Sequence, residues 1–196
     1  MMNAPCCMHT PVLAGGASTG GPTAVARLLS GLPAAFAGAV LVVQHLDGSF
    51  SNNFAQWLSR QTPLPVALAE QGDRLKPGRV YLARGGAHLV VTPVRTLAYS
   101  LEPSATPYKP SVDALFESLA DSPVQPGVAV LLTGMGSDGA RGLLALKDAG
   151  WFTIAQDQAT SAVYGRPTAA RDLGAADLIL PLDGIAAHAA KHLAGA

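Results

Sequence analysis

Residues 11–25 read PVLAGGASTGGPTAV: an apolar run, four glycines set around Ser18, then a segment at helical spacing. Strand, glycine turn and helix in immediate succession form the opening unit of an α/β layer, and the rest of the chain repeats the theme. Short apolar runs recur as AVLVVQH, PVALAE, RVYLARG, GVAVLLTG, FTIAQD and DLILPL. They are continuous rather than alternating, the mark of strands buried on both faces of a parallel sheet. The spacing predicts helices over 21–31, 50–61, 111–121, 140–149, 167–173 and 184–194, with Ser111 as an N-cap and Gly150 as a stop. HLVVTPVRTLAYSLEP, residues 88–103, carries β-branched runs around TPVR and no helix, so it reads as an antiparallel hairpin near one edge. The proline-rich segment 102–110 that overlaps its end is a loop in a position to line a site. The expected fold is a doubly wound, mostly parallel α/β sheet of about seven strands with helices on both faces.

At 196 residues the chain is one domain with room for a substantial core, residues 1–10 forming a tail and 11–196 the folded unit. Charged residues make up 13 % and the formal net charge is zero, which excludes a basic surface for nucleic acid. No run of apolar residues is long enough to span a bilayer, and the N-terminus lacks the features of a signal peptide, so a cytoplasmic location is expected. Cys6 and Cys7 are adjacent, a spacing that suits neither a bridge nor a metal, and read as reduced thiols.

In an open α/β sheet, ligands sit beyond the carboxyl ends of the strands, which draws attention to Ser18, His45 and Asp138. The opening turn is not a P-loop, because Gly21 and Pro22 stand where the lysine and hydroxyl belong. Nor does it serve a dinucleotide, since the second strand ends in Gln44 and His45 rather than an acidic residue. Gly16-Ala17-Ser18-Thr19-Gly20 does match the G-x-S-x-G pattern between strand and helix. There Gly16 and Gly20 keep the turn tight, and the Thr19 amide at the helix start is placed to meet an oxyanion. The plain alternative is a tight turn.

A serine nucleophile needs a base, and the base an orienting group. His9 lies in the tail, His88 at the hairpin start, and His188 and His192 on the last helix, leaving His45 at a central strand end. His188 and His192 have i, i+4 spacing but Ala189 where a zinc protease has glutamate, so no metal site is expected. Asp138 lies in TGMGSDGA, among Gly134, Gly136 and Gly139. It reads as the carboxylate, or more blandly as the N-cap of the following helix.

Together GASTGGP, VVQH and TGMGSDGA, with the weaker PSVDALFESLA and IAQDQATSAVYGRP, resemble in order the catalytic domain of bacterial chemotaxis protein-glutamate methylesterases. The resemblance runs from about residue 11 to 190. It implies a methylesterase catalytic domain at 11–196 that hydrolyses glutamate methyl esters on cytoplasmic chemoreceptor helices, with deamidation of receptor glutamines as a second activity. It implies Ser18 as nucleophile, His45 as base and Asp138 as orienting carboxylate, with Thr19 and Met135 giving oxyanion-hole amides and Gly134 and Gly136 supporting the loop. No cofactor is implied.

The pattern also departs from the family. Only ten residues precede the first strand, where family members carry a phospho-accepting receiver domain. Control by phosphorylation within this chain is therefore not expected, and a separate receiver protein acting in trans stays open. QHLD stands for QHMP, Tyr164-Gly165-Arg166-Pro167 for a GMP motif, and Ala83-Arg84-Gly85 for APG. Arg84 and Arg166, near the rim, are expected to be solvated side chains, the alternative being that they change which acidic receptor surface is accepted. The alternatives are a small-molecule serine esterase or amidase and a non-catalytic receptor-binding module.

Overall fold

A computed structural model describes residues 9–195. Cys6, Cys7 and most of the expected tail lie outside the described residues.

Seven strands form one parallel sheet: β1 (Val12–Ala17), β2 (Ala39–Gln44), β3 (Val66–Leu68), β4 (Val80–Leu82), β7 (Val128–Leu131), β8 (Phe152–Gln156) and β9 (Leu178–Leu180). Their order is β3-β4-β2-β1-β7-β8-β9. β1, β2 and β7 are buried along their whole length, as the unbroken apolar runs require. The chain fills one half of the sheet outward from β1 and then returns to β1's other side, so the switch in direction falls between β1 and β7. That is where an open α/β sheet leaves a crevice at its carboxyl edge.

Among the described residues six α-helices cover the sheet: α1 (Gly21–Ser30), α2 (Ser51–Ser59), α3 (Val112–Ala120), α4 (Ala140–Asp148), α5 (Arg166–Asp172) and α6 (Leu182–Ala194). One face is packed by Leu28, Leu29, Leu58 and Ile185 from α1, α2 and α6. The other is packed by Leu115, Phe116, Leu143 and Leu146 from α3 and α4. Each expected helix is present within two residues of its expected start and end. Ser111 caps α3, its hydroxyl accepting from the Ala114 amide, and Gly150 ends α4 at φ +90°.

The hairpin is β5 (His88–Val91) paired antiparallel with β6 (Leu97–Ser100). It forms a two-stranded sheet of its own and buries Leu89 and Leu97 in the same apolar cluster as α3. Its function in the fold is to clamp α3, whose N-terminus faces the crevice.

Candidate active site

Three strand-to-helix turns meet at the switch point. The first leaves β1 at Ser18, whose amide donates to the Thr133 carbonyl at 3.0 Å, tying the serine turn to the loop after β7. A Cβ on Gly16 would overlap the Val112 side chain, so the glycine lets the start of α3 lie directly on β1. Gly20 takes φ +76° and serves as N-cap of α1, a conformation that favours glycine. On Gly134 a Cβ would stand 2.7 Å from Ser18 Cβ and 2.7 Å from Arg166 Cδ. The G-x-S-x-G glycines are therefore required by close approach.

The second turn carries His45, just past β2, and the third carries Asp138. Their side chains meet: His45 Nε2 lies 2.7 Å from Asp138 Oδ2. Asp138 does not cap the helix that follows it, whose N-cap is Gly139 at φ +101°. It caps α3 instead, accepting from the Val112 amide at 2.8 Å, the Asp113 amide at 3.0 Å and the Ser111 hydroxyl at 2.7 Å. Burial alone would raise its pKa. The hydrogen bonds from His45, the two amides and Ser111 outweigh burial and hold the carboxyl well below the usual range. An ionised Asp138 fixes the proton of a neutral His45 on Nε2, leaving one lone pair, on Nδ1.

Arg166 lies against the same ring. Arg166 Nη2 lies 2.6 Å from His45 Nδ1 and 3.1 Å from Nε2, and Arg166 Nε donates to the Met135 carbonyl at 3.2 Å. Among the described residues no hydrogen bond joins the Ser18 hydroxyl to the imidazole. The expectation of a solvated Arg166 is thus wrong, for the side chain is fully buried. The physical reason is loop pairing: the Gly134 amide donates to the Val163 carbonyl, and the Arg166 amide to that of Gly134. This turns the first residue of α5 inward, over a glycine that offers no side chain to resist it. Arg84 is exposed as expected. Burial is the main cause of a lowered His45 pKa; the Asp138 hydrogen bond opposes it and the Arg166 charge adds to it.

Thr19 and Met135 are both exposed at this rim. Gly136 takes φ +80° in the Asp138 loop. Tyr108, from the proline-rich loop, stacks on the imidazole with centroids 4.3 Å apart. Beside it Asp47, Pro107, Lys109 and His45 line a cavity of about 280 Å³.

His88 is a site residue that sequence reasoning set aside. It is fully buried, its Nδ1 accepts from the Ser111 amide at 3.0 Å, and its Nε2 lies 3.1 Å from the Pro103 carbonyl. It therefore anchors the start of α3, and through it the Asp138 cradle. His188 and His192 stay apart from the site: one binds the Gly184 carbonyl of its own helix and the other stacks on Phe152. Among the described residues no group of three or more histidine, cysteine, aspartate or glutamate side chains is placed to hold a metal. No described helix is long and apolar enough to cross a membrane.

Fold and site together define an open parallel α/β domain that gathers a hydroxyl, an imidazole and an ionised carboxylate at the carboxyl edge of its sheet. The chain belongs to the CheB methylesterase family, whose model matches residues 13–189. It is 55 % identical over 176 residues to a protein-glutamate methylesterase/protein-glutamine glutaminase 1 of Burkholderia lata, covering 90 % of this chain and 53 % of that protein. It is 54 % identical, with the same coverage, to a protein-glutamate methylesterase/protein-glutamine glutaminase 2 of Burkholderia orbicola. The chain thus spans about half the length of the curated relatives it matches. In structure it resembles the crystallised CheB methylesterase catalytic domain of Thermotoga maritima, with a TM-score of 0.88 at 32 % identity, covering 93 % of this chain and 98 % of that one.

Proposed function

We propose that residues 11–196 form a protein-glutamate methylesterase domain with Ser18 as nucleophile, His45 as general base and Asp138 as orienting carboxylate. The observation that carries this reading is the 2.7 Å contact of His45 with a buried, ionised Asp138, the His45 amide donating to the Ala17 carbonyl immediately before a glycine-framed Ser18. Ser18 Oγ attacks the ester carbonyl and its proton passes to His45. The amides of Thr19 and Met135 receive the oxyanion charge. Collapse of the tetrahedral intermediate expels methoxide, which takes the proton from His45 and leaves as methanol. Water, deprotonated by the same imidazole, then cleaves the acyl-enzyme to a free glutamate carboxylate and restores Ser18.

The names of the relatives pair methylesterase with glutaminase. Deamidation follows the same path, with ammonia leaving in place of methanol. The substrate class that fits is the methylated cytoplasmic helix of a chemoreceptor, which places the reaction in the cytoplasm. The test is methanol release from a methylated receptor fragment by the wild type and by Ser18→Ala. Loss of release in Ser18→Ala supports the reading, and equal release from both overturns it.

A further inference from the structure

Gln44 ends β2 immediately before His45 and takes no part in the acyl-transfer steps above. It is buried, and its side chain faces two main-chain carbonyls: Nε2 donates to that of Ser18 at 2.9 Å and to that of His45 at 3.2 Å. A side-chain amide nitrogen has two N–H groups, and both are used here, whereas Oε1 is buried and makes no hydrogen bond among the described residues. Two carbonyl acceptors on one side fix which end of the amide is the donor. The β1–β2 ladder closes with the bond from the His45 amide to the Ala17 carbonyl at 3.1 Å. Past it, among the described residues, no backbone hydrogen bond joins the Ser18 turn, residues 18–21, to the His45 turn, residues 45–50. Gln44 supplies that link. Gly21 makes room for it, since a Cβ there would overlap the Gln44 side-chain amide. The Ser18 carbonyl also accepts from the Gly21 amide at 2.7 Å, closing a turn in which Gly20 takes φ +76°.

A trans peptide is planar, with its C=O and N–H pointing in opposite directions. Holding the Ser18 carbonyl toward Gln44 therefore aims the Thr19 N–H the other way, and among the described residues that N–H donates to no other group. It is the donor to which the mechanism above gives the oxyanion. Resting on that reading of Ser18, His45 and Thr19, we propose that Gln44 is a positioning residue: its amide clamps the nucleophile turn to the base turn and fixes the direction of the Thr19 N–H. The Gly21 bond cannot do this alone, because Gly21 belongs to the same turn and moves with it. Gln44 is rooted in a strand buried along its whole length, so its hold refers the turn to the sheet. A donor aimed at developing charge acts more strongly on the tetrahedral intermediate than on the ester, so loss of aim falls on kcat rather than on KM.

The test is methanol release from a methylated receptor fragment by Gln44→Met, which keeps the length of the side chain and removes its N–H groups. Losing an oxyanion donor outright costs about 10²–10³ in kcat, so misdirecting one is expected to cost about tenfold or more, with KM changed by less than about twofold. Urea unfolding at the assay pH establishes that the protein assayed is folded. Gln44→Glu adds a readout that lost packing would not move. Ionised, its carboxylate faces two carbonyl oxygens and holds neither; protonated, its O–H donates to one of them. Burial raises the pKa of such a carboxyl. The ratio of variant to wild-type kcat is therefore expected to rise as pH falls from about 8 to about 6. Should Gln44→Met fail to fold, this ratio alone decides. Wild-type kcat in folded Gln44→Met, or a Gln44→Glu ratio that does not change with pH, overturns the clamp. Either result beside methanol release that depends on Ser18 refutes the clamp alone. Release independent of Ser18 refutes the methylesterase reading and the clamp with it.

Discussion

Asp138 holds His45 at 2.7 Å and the Val112 amide at 2.8 Å through the same carboxylate oxygen. One side chain thus orients the proposed base and accepts from the first amides of the helix that packs on the serine strand, so on the proposed mechanism activity and stability are coupled at this residue. Asp138→Asn is expected to lower kcat by up to about 10⁴, because an amide can present an N–H to the imidazole and select the wrong tautomer. Asp138→Ala leaves the Val112 and Asp113 amides without their acceptor and should also lower stability by about 1–3 kcal/mol. Steady-state hydrolysis together with urea unfolding checks both; a stable, fully active Asp138→Ala would refute the assignment.

The acid limb of activity should lie below pH 6.5. Burial is the first cause, disfavouring the charged imidazole, and the Arg166 cation adds to it against the opposing Asp138 hydrogen bond. His45 therefore stays neutral, and able to accept a proton, to a lower pH than a free histidine. The sign for stability follows: the folded state resists protonation, so the contribution of neutral His45 is complete above about pH 6.5 and is lost as pH falls toward the lowered folded value. Asp138, held low, remains ionised across that window and adds no limb of its own. A kcat/KM profile between pH 4.5 and 8 is the measurement, and a limb above 6.5 would contradict this electrostatic account.

His88→Leu is expected to lower stability by about 1–3 kcal/mol, since it strands the buried Ser111 amide that now donates to Nδ1. Activity should fall with it, because Ser111 and the first amides of α3 are the cradle of Asp138. His88→Asn, which keeps an acceptor in the side chain, should recover part of both. Thermal unfolding and kcat for the two variants decide the matter: losses in stability with unchanged kcat would confine His88 to the fold.

How much of this was legible in the sequence depended on whether backbone or loop packing decides the residue. The strands and helices were readable because continuous apolar runs and helical spacing report burial directly. The location of Ser18, His45 and Asp138 was readable because each stands where a strand gives way to a turn, at one edge of a sheet whose topology the same pattern predicts. Arg166 was not. Its inward turn depends on Gly134 pairing with Val163 across loops 29 residues apart in sequence, and an arginine next to a helix start otherwise belongs in solvent. His88 was hidden for a similar reason: nothing in HLVV foretells that its ring meets the Ser111 amide. Asp138 was read correctly as a capping type of residue but for the wrong helix, because its own helix takes Gly139 as cap.

Gly134→Ala tests the packing that brings these loops together. The added methyl would stand 2.7 Å from Ser18 Cβ and from Arg166 Cδ, and 2.9 Å from Arg166 Nε, so either the serine turn or the arginine must move. Overpacking of this kind costs about 1–3 kcal/mol. A loss of at least tenfold in kcat is expected, since small displacements of the proposed nucleophile are amplified in rate. Unfolding and hydrolysis measured side by side check it, with normal kcat excluding tight coupling between the Gly134 loop and Ser18.

Tyr108→Ala tests how the proposed base is kept dry. The phenol ring covers one face of His45 at 4.3 Å yet is itself 41 % exposed, so it shields the imidazole without being locked into the core. Removing it admits water to a ring whose pKa is lowered chiefly by burial. The folded pKa should rise toward 6.5, and the acid limb of kcat/KM should move to higher pH by the same amount. Tyr108→Phe keeps the stack and should keep the wild-type limb, which separates shielding from any role of the hydroxyl. The hydrogen bond to Asp138 survives either change, so the maximal rate on a small ester should fall far less than it does in Asp138→Asn. An unmoved limb in Tyr108→Ala would mean that the Arg166 charge and the surrounding backbone, rather than this aromatic cover, hold the imidazole neutral.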